Sequence, residues 1–170
     1  CNGSVTTAVV FTTNNTPGTT IYSWANSDPT IGLAATGTGD ITAFTAINTG
    51  TAPVIATITV TPTYTDGTVS CTGASKSFTI LVNPIPVINP ILTATICSLD
   101  TTNISISSNA FGATYVWTST ATDVSGATLG SGNNITDTLT ATSTLPGTVI
   151  YTITPSATGC TGLPLIAISS

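Results

Sequence analysis

Apolar and hydroxyl-bearing side chains alternate along this chain with a period of two. In Val54 to Tyr64 (VIATITVTPTY), Ile58 and Val60 fall on one side and Thr57 and Thr59 on the other, the pattern of a half-buried β-strand. Asp66-Gly67 then supplies a hairpin turn, and Ser75 to Val82 sets Phe78, Ile80 and Val82 on one face. Upstream, strands are predicted over Thr6–Thr13, Thr19–Ala25 (where Tyr22 and Trp24 share a face), Ile31–Leu33 and Ile41–Ile47. Turns are predicted at Asn14–Gly18 and Asn26–Thr30, and a loop at Gly37-Thr38-Gly39-Asp40.

The same order then recurs. Tyr22-x-Trp24 returns as Tyr115-x-Trp117, and Thr57-Ile58-Thr59-Val60-Thr61-Pro62 as Tyr151-Thr152-Ile153-Thr154-Pro155. The displacement is 93 in both cases, 117 minus 24 and 155 minus 62. Gly130-Ser131-Gly132-Asn133 stands where copy one has its Gly-Thr-Gly-Asp loop, and strands are predicted around Ile104–Ile106, Ala113–Thr118, Val149–Thr154 and Leu163–Ile168. A period near 90 is too long for one layer of a solenoid, so each copy is expected to fold as its own small domain. Seven or so short strands with frequent turns, and a strand Trp between two cysteines, predict an all-β chain of two tandem immunoglobulin-like β-sandwich domains. The Pro-rich run Asn83–Pro90 reads as an extended, semi-rigid linker, which sets the domains at 1–86 and 87–170.

Composition sharpens this picture. Thr makes up about a quarter of the 170 residues, and Glu, Gln, Arg, Met and His are absent, so the chain favours strands over helices. The net charge is −5 and the one basic side chain is Lys76, which leaves no basic surface for nucleic acid or anionic membranes. Apolar runs such as Pro164–Ile168 fall far short of the ~18 residues of a membrane-spanning helix. Opening directly on Cys1-Asn2-Gly3 without a basic-then-apolar leader, the chain is expected to be a mature or excised piece of a longer protein.

Catalysis finds no footing in this inventory. No His exists to serve a nucleophile, and the six Asp residues at 28, 40, 66, 100, 123 and 137 form no obvious glycosidase pair. No enzyme activity, catalytic residue, metal or cofactor is therefore expected. Four cysteines permit three pairings. Because equivalent positions should do equivalent things, the duplication selects Cys1 with Cys71 and Cys97 with Cys160, each closing a loop worth roughly 4 kcal/mol by chain entropy. Such bridges imply an oxidising, extracytoplasmic compartment.

Several motifs carry a family resemblance: Cys1-Asn2-Gly3, Tyr22-x-Trp24, the segment Ile31–Ile41, Ala56–Pro62, Cys71-Thr72-Gly73 and Phe78–Pro84. Together they resemble the PKD-like repeats of Bacteroidota surface proteins. Copy one fits closely, and copy two keeps the cysteines, Tyr-x-Trp and the Tyr-Thr-Ile-Thr-Pro strand. The resemblance implies a structural segment of a giant cell-surface adhesin or filament, of the gliding-motility kind, exported by type IX secretion. Its partners would be neighbouring repeats, and possible contacts include surface polysaccharide or an abiotic surface. A carbohydrate-binding accessory module of a secreted enzyme and a self-assembling fibre subunit are the alternatives. Asp100-Thr101-Thr102 and Asp137-Thr138-Leu139 also resemble the O-glycosylation sequon of that phylum, which would place sugars on Thr101 and Thr138.

Overall fold

The computed structural model describes residues 1–91 and 95–169. The chain is all-β and divides into two compact units, Cys1–Pro84 and Ile85–Ser170.

In the first unit, β1 (Thr19–Asn26), β2 (Thr36–Thr38), β3 (Val54–Asp66), β4 (Val69–Thr72) and β5 (Lys76–Val82) form one antiparallel sheet. The long strand β3 is its spine. One edge pairs with β1 from Asn26↔Ile58 to Thr19↔Thr65. The other edge is shared, with β5 taking Val54 to Val60 and β4 taking Thr63 to Asp66. Alternation decides which side is buried: Trp24, Ala56, Ile58, Val60 and Val82 point inward, against Ile31, Leu33, Ile41 and Ala46. Burying side chains of this size contributes about 1.5–3 kcal/mol each.

The facing layer departs from the predicted strands. Residues near 5–9 and 41–45 form no continuous ladder but the isolated bridges Val5↔Thr45 and Val9↔Ile41, joined by a bond from the Phe44 N–H to the Thr6 hydroxyl at 3.0 Å. The segment expected as strand Ile31–Leu33 is instead entered by a 3₁₀ turn, Pro29–Ile31. Asp28 forms this turn. Its carboxylate accepts from the Thr30 N–H at 3.0 Å, and Pro29 sits at the first helical position, where its missing N–H does no harm. Conversely, the expected loop at Gly37 is strand β2, because Gly37 pairs directly with Trp24.

The second unit repeats the sheet. Strands β7 (Thr114–Thr122), β9 (Gly130–Ser131), β12 (Thr148–Ala157), β13 (Cys160–Thr161) and β14 (Leu165–Ser169) take the places of β1 to β5, in the order β9-β7-β12-β13 with β14 also on β12. Registers match to the residue: Trp24↔Val60 becomes Trp117↔Ile153, and Tyr22↔Pro62 becomes Tyr115↔Pro155. Two short pairs, β6 (Ile104–Ser105) with β10 (Asn134–Ile135) and β8 (Val124–Ser125) with β11 (Thr140–Ala141), face this sheet. Between them lies a core of Ile104, Ile135, Tyr115, Trp117, Tyr151 and Ile153, among others.

The unit boundary lies two residues before the one set from the prolines. The physical reason is that the linker's second half belongs to the second unit. Ile88 bridges Ser108, the Asn89 N–H donates to Ser107 O at 2.9 Å, and the Val87 N–H donates to Asn109 Oδ1 at 2.8 Å.

Candidate functional site

Each tryptophan sits on a glycine of the neighbouring strand. A Cβ built on Gly37 would lie 2.1 Å from Trp24 Cζ2, and one on Gly130 would lie 2.6 Å from Trp117 Cζ2. Both indoles are core residues, 8% exposed, so neither offers a stacking face to a sugar. The displacement of 93 that links the tryptophans also links these glycines; the sequence aligns them as loop residues, and the structure sets both in strands opposite the tryptophans.

The four cysteines differ in state. Cys1 and Cys160 are disulfide-bonded, while Cys71 and Cys97 are exposed free thiols. The expected bridges, Cys1 with Cys71 and Cys97 with Cys160, are thus corrected, and strand geometry gives the reason. In the first unit the Asn2 N–H donates to Asn83 O at 2.8 Å, just past the residue that pairs with Val54 at the start of β3. Cys71 pairs with Tyr64 near the other end of β3. Ten steps of about 3.3 Å separate those ends, ~33 Å, against a limit near 7 Å between the Cα atoms of a disulfide. In the second unit Cys97 lines a cleft with Pro146 and Gly147, just ahead of β12. Cys160 pairs with Ala157 at the far end of that strand. Each unit therefore carries one cysteine at each pole of its sheet.

The predicted glycosylation threonines, far apart in sequence, are brought together. Thr101 and Thr138 form an isolated bridge, and their exposed hydroxyls share a hydrogen bond of 3.1 Å. Beside them lies a polar network that the sequence reading missed. Tyr151, fully buried, donates to Asp137 Oδ2 at 2.7 Å. Asp137 also accepts from the Thr128 N–H (2.8 Å) and Oγ1–H (2.6 Å). Burial, and then the bond to Asp137, hold the Tyr151 hydroxyl well above its ordinary pKa of 10.0. Copy one has Ile58 where copy two has Tyr151, so the displacement of 93 that matches the strands gives no hint of this network.

An open cleft of about 410 Å³ in the first unit is lined by Phe11, Tyr22, Pro62, Lys76 and Phe78, among others. The Phe11 and Tyr22 rings are tilted by 42° with centroids 5.3 Å apart. Among the described residues, no three His, Cys, Asp or Glu side chains stand together in a way that could hold a metal. No helix there is long and apolar enough to cross a membrane.

Residues 94–168 match the family model of the PKD-like domain. The match runs from just before Cys97 through Cys160 and into β14, so it spans the second unit's sheet and both of its cysteines. No curated protein and no solved structure matches the chain. Over this range the second unit is thus similar to the PKD-like domain.

Proposed function

We propose that the chain is a structural repeat segment of an extracellular bacterial adhesin or surface filament, spacing or displaying a binding region beyond the cell. One observation carries this reading: the chain builds the same five-stranded sheet twice, with the Trp–Gly contact and the strand registers reproduced at the same displacement. A catalyst needs one arrangement of groups, whereas a spacer gains length from each added copy. The PKD-like match of the second unit and the disulfide support an extracytoplasmic setting.

On this reading the chain is no enzyme and needs no cofactor, and its first partners are neighbouring repeats. Both units are tandem immunoglobulin-like, PKD-like sandwiches. The setting is the cell surface of a gliding, type IX-secreting bacterium, with Thr101 and Thr138 as O-glycan acceptors. The aromatic cleft around Phe11 and Tyr22 favours a second reading, a carbohydrate-binding module.

Two experiments test the reading. Peptide mapping of the parent polypeptide, captured with antibodies to this chain, should return many further Tyr-x-Trp repeats. A parent with a fused hydrolase and only these two copies would overturn the proposal. Saturable binding on a glycan array, lost on Tyr22→Ala, would favour the second reading.

A further inference from the structure

The duplication gives each free thiol an oxidised counterpart. Cys97 sits as Cys1 does. In both turns the third residue has positive φ, Gly3 at 78° and Leu99 at 77°, and its N–H donates across the unit, to Ala46 O and Leu139 O at 2.7 Å each. The next residue donates back to the cysteine carbonyl, Ser4 to Cys1 at 3.1 Å and Asp100 to Cys97 at 3.0 Å. Leu99 holds this left-handed conformation without being glycine, so the turn geometry is imposed on it by its surroundings.

Cys71 in turn sits as Cys160 does. Both lie on the strand that returns along the end of the long strand, opposite Tyr64 and Ala157. Both precede by two residues a glycine, Gly73 or Gly162, whose N–H donates to the carbonyl of the long strand's proline, Pro62 or Pro155, at 2.9 Å. One cysteine of each kind, Cys1 and Cys160, is disulfide-bonded, and the other of each kind is exposed and free. Within a unit the two kinds lie at opposite ends of a strand of ten or more residues, too far apart to bond.

We propose that Cys71 and Cys97 are head-to-tail cross-linking sites. Cys71 takes the sulfur of a cysteine seated like Cys97 on another unit of this kind, so that a disulfide joins one unit to the next. The inference deepens the structural-repeat reading and rests on it. Bond formation needs a two-electron oxidant of the disulfide class, such as oxidised glutathione or a thiol–disulfide oxidoreductase. One cysteine thiolate attacks the oxidant's disulfide, forms a mixed disulfide and expels one thiolate. The second cysteine thiolate then attacks the protein sulfur and expels the other. The oxidant is reduced to two thiols, which take up the two protons the cysteines release.

The test uses the whole 170-residue chain with oxidised glutathione, read on non-reducing gels and by peptide mapping. The wild type should give a ladder of multimers that collapses on reduction and yields a Cys71–Cys97 linked peptide. Cys71→Ser and Cys97→Ser alone should each stay monomeric, while a mixture of the two should form a dimer and nothing larger. Both sites are exposed, so the variants should keep wild-type circular dichroism and melting. A wild type that stays monomeric, that carries only glutathione, that closes Cys71 onto Cys97 of its own chain, or that links like to like would overturn the proposal. Any of these results would leave the structural-repeat reading standing, because that is decided by the composition of the parent polypeptide.

Discussion

Placing one methyl group on Gly37 tests how the sandwich is packed. A Cβ there would lie 2.1 Å from Trp24 Cζ2, 2.5 Å from Cε2 and 2.7 Å from Cη2, roughly 1.5 Å inside ordinary carbon contact. The indole cannot retreat freely, since it packs in the core with Ile58 and Val60 and is 8% exposed. Overpacking of this kind costs about 1–3 kcal/mol. Gly37 does not have positive φ, so an alanine there is free of backbone strain and gains back about 0.4–1 kcal/mol from a stiffer unfolded chain. The net loss for Gly37→Ala is therefore about 1–2 kcal/mol. At Gly130 the corresponding distance to Trp117 Cζ2 is 2.6 Å, and the loss should be smaller. With one tryptophan in each unit, urea unfolding followed by fluorescence, in Trp117→Phe and Trp24→Phe backgrounds respectively, reads each site separately. For a domain of this size the Gly37→Ala midpoint should fall by roughly 1–2 M. An unchanged midpoint, or a larger loss at Gly130 than at Gly37, would refute the reasoning.

Other sites give independent checks. Tyr151→Phe removes the hydrogen bond to Asp137 and should lower the second unit's stability by about 1.5 kcal/mol or more; an unchanged thermal midpoint would count against that bond. The raised pKa of Tyr151 means that, above its ordinary value of 10.0, the unfolded chain holds fewer protons at this site than the folded one. Stability should therefore fall as pH climbs past that value, and the fall should be shallower in Tyr151→Phe when the two are titrated side by side. Asn48 donates to Ala52 O (2.9 Å) and Val82 O (2.7 Å) and accepts from the Gly50 N–H (3.0 Å). Asn48→Ala should cost about 2 kcal/mol, visible as an earlier urea transition in the first unit. For the proposed glycans, the Thr101 and Thr138 oxygens lie 3.1 Å apart, and two substituted oxygens would have no proton between them. Intact mass of the natively secreted protein should show added glycan mass, reduced in Thr101→Ala and in Thr138→Ala and lost in the double variant, and a bare polypeptide mass would contradict this.

The long strands were legible because their alternation is uninterrupted: Val54–Tyr64 was read as a strand, and β3 runs from Val54 to Asp66. Spacing alone brought Trp24 and Trp117 into correspondence. The facing layer was less legible, because Val5, Val9, Ile41 and Thr45 meet in single bridges whose pairing is set by packing, not by local pattern. Gly37 and Gly130 were misread as loop glycines for a related reason, since a glycine that seats a ring looks in sequence like one that makes a turn. The cysteine pairing failed on a different point. Equivalence between copies does not fix the partner of Cys1, which depends on the end of β3 to which the Cys1 turn docks. Had that end been known, the length of β3 would have excluded a bond to Cys71.

The claim that this chain is one segment of a repeated extracellular structure is tested most directly on intact cells that make it, by immunogold electron microscopy with antibodies to residues 1–170. Gold should decorate unpermeabilised cells in rows along filaments extending from the surface. Label that appears only after permeabilisation, or only in a soluble secreted complex, would contradict the account.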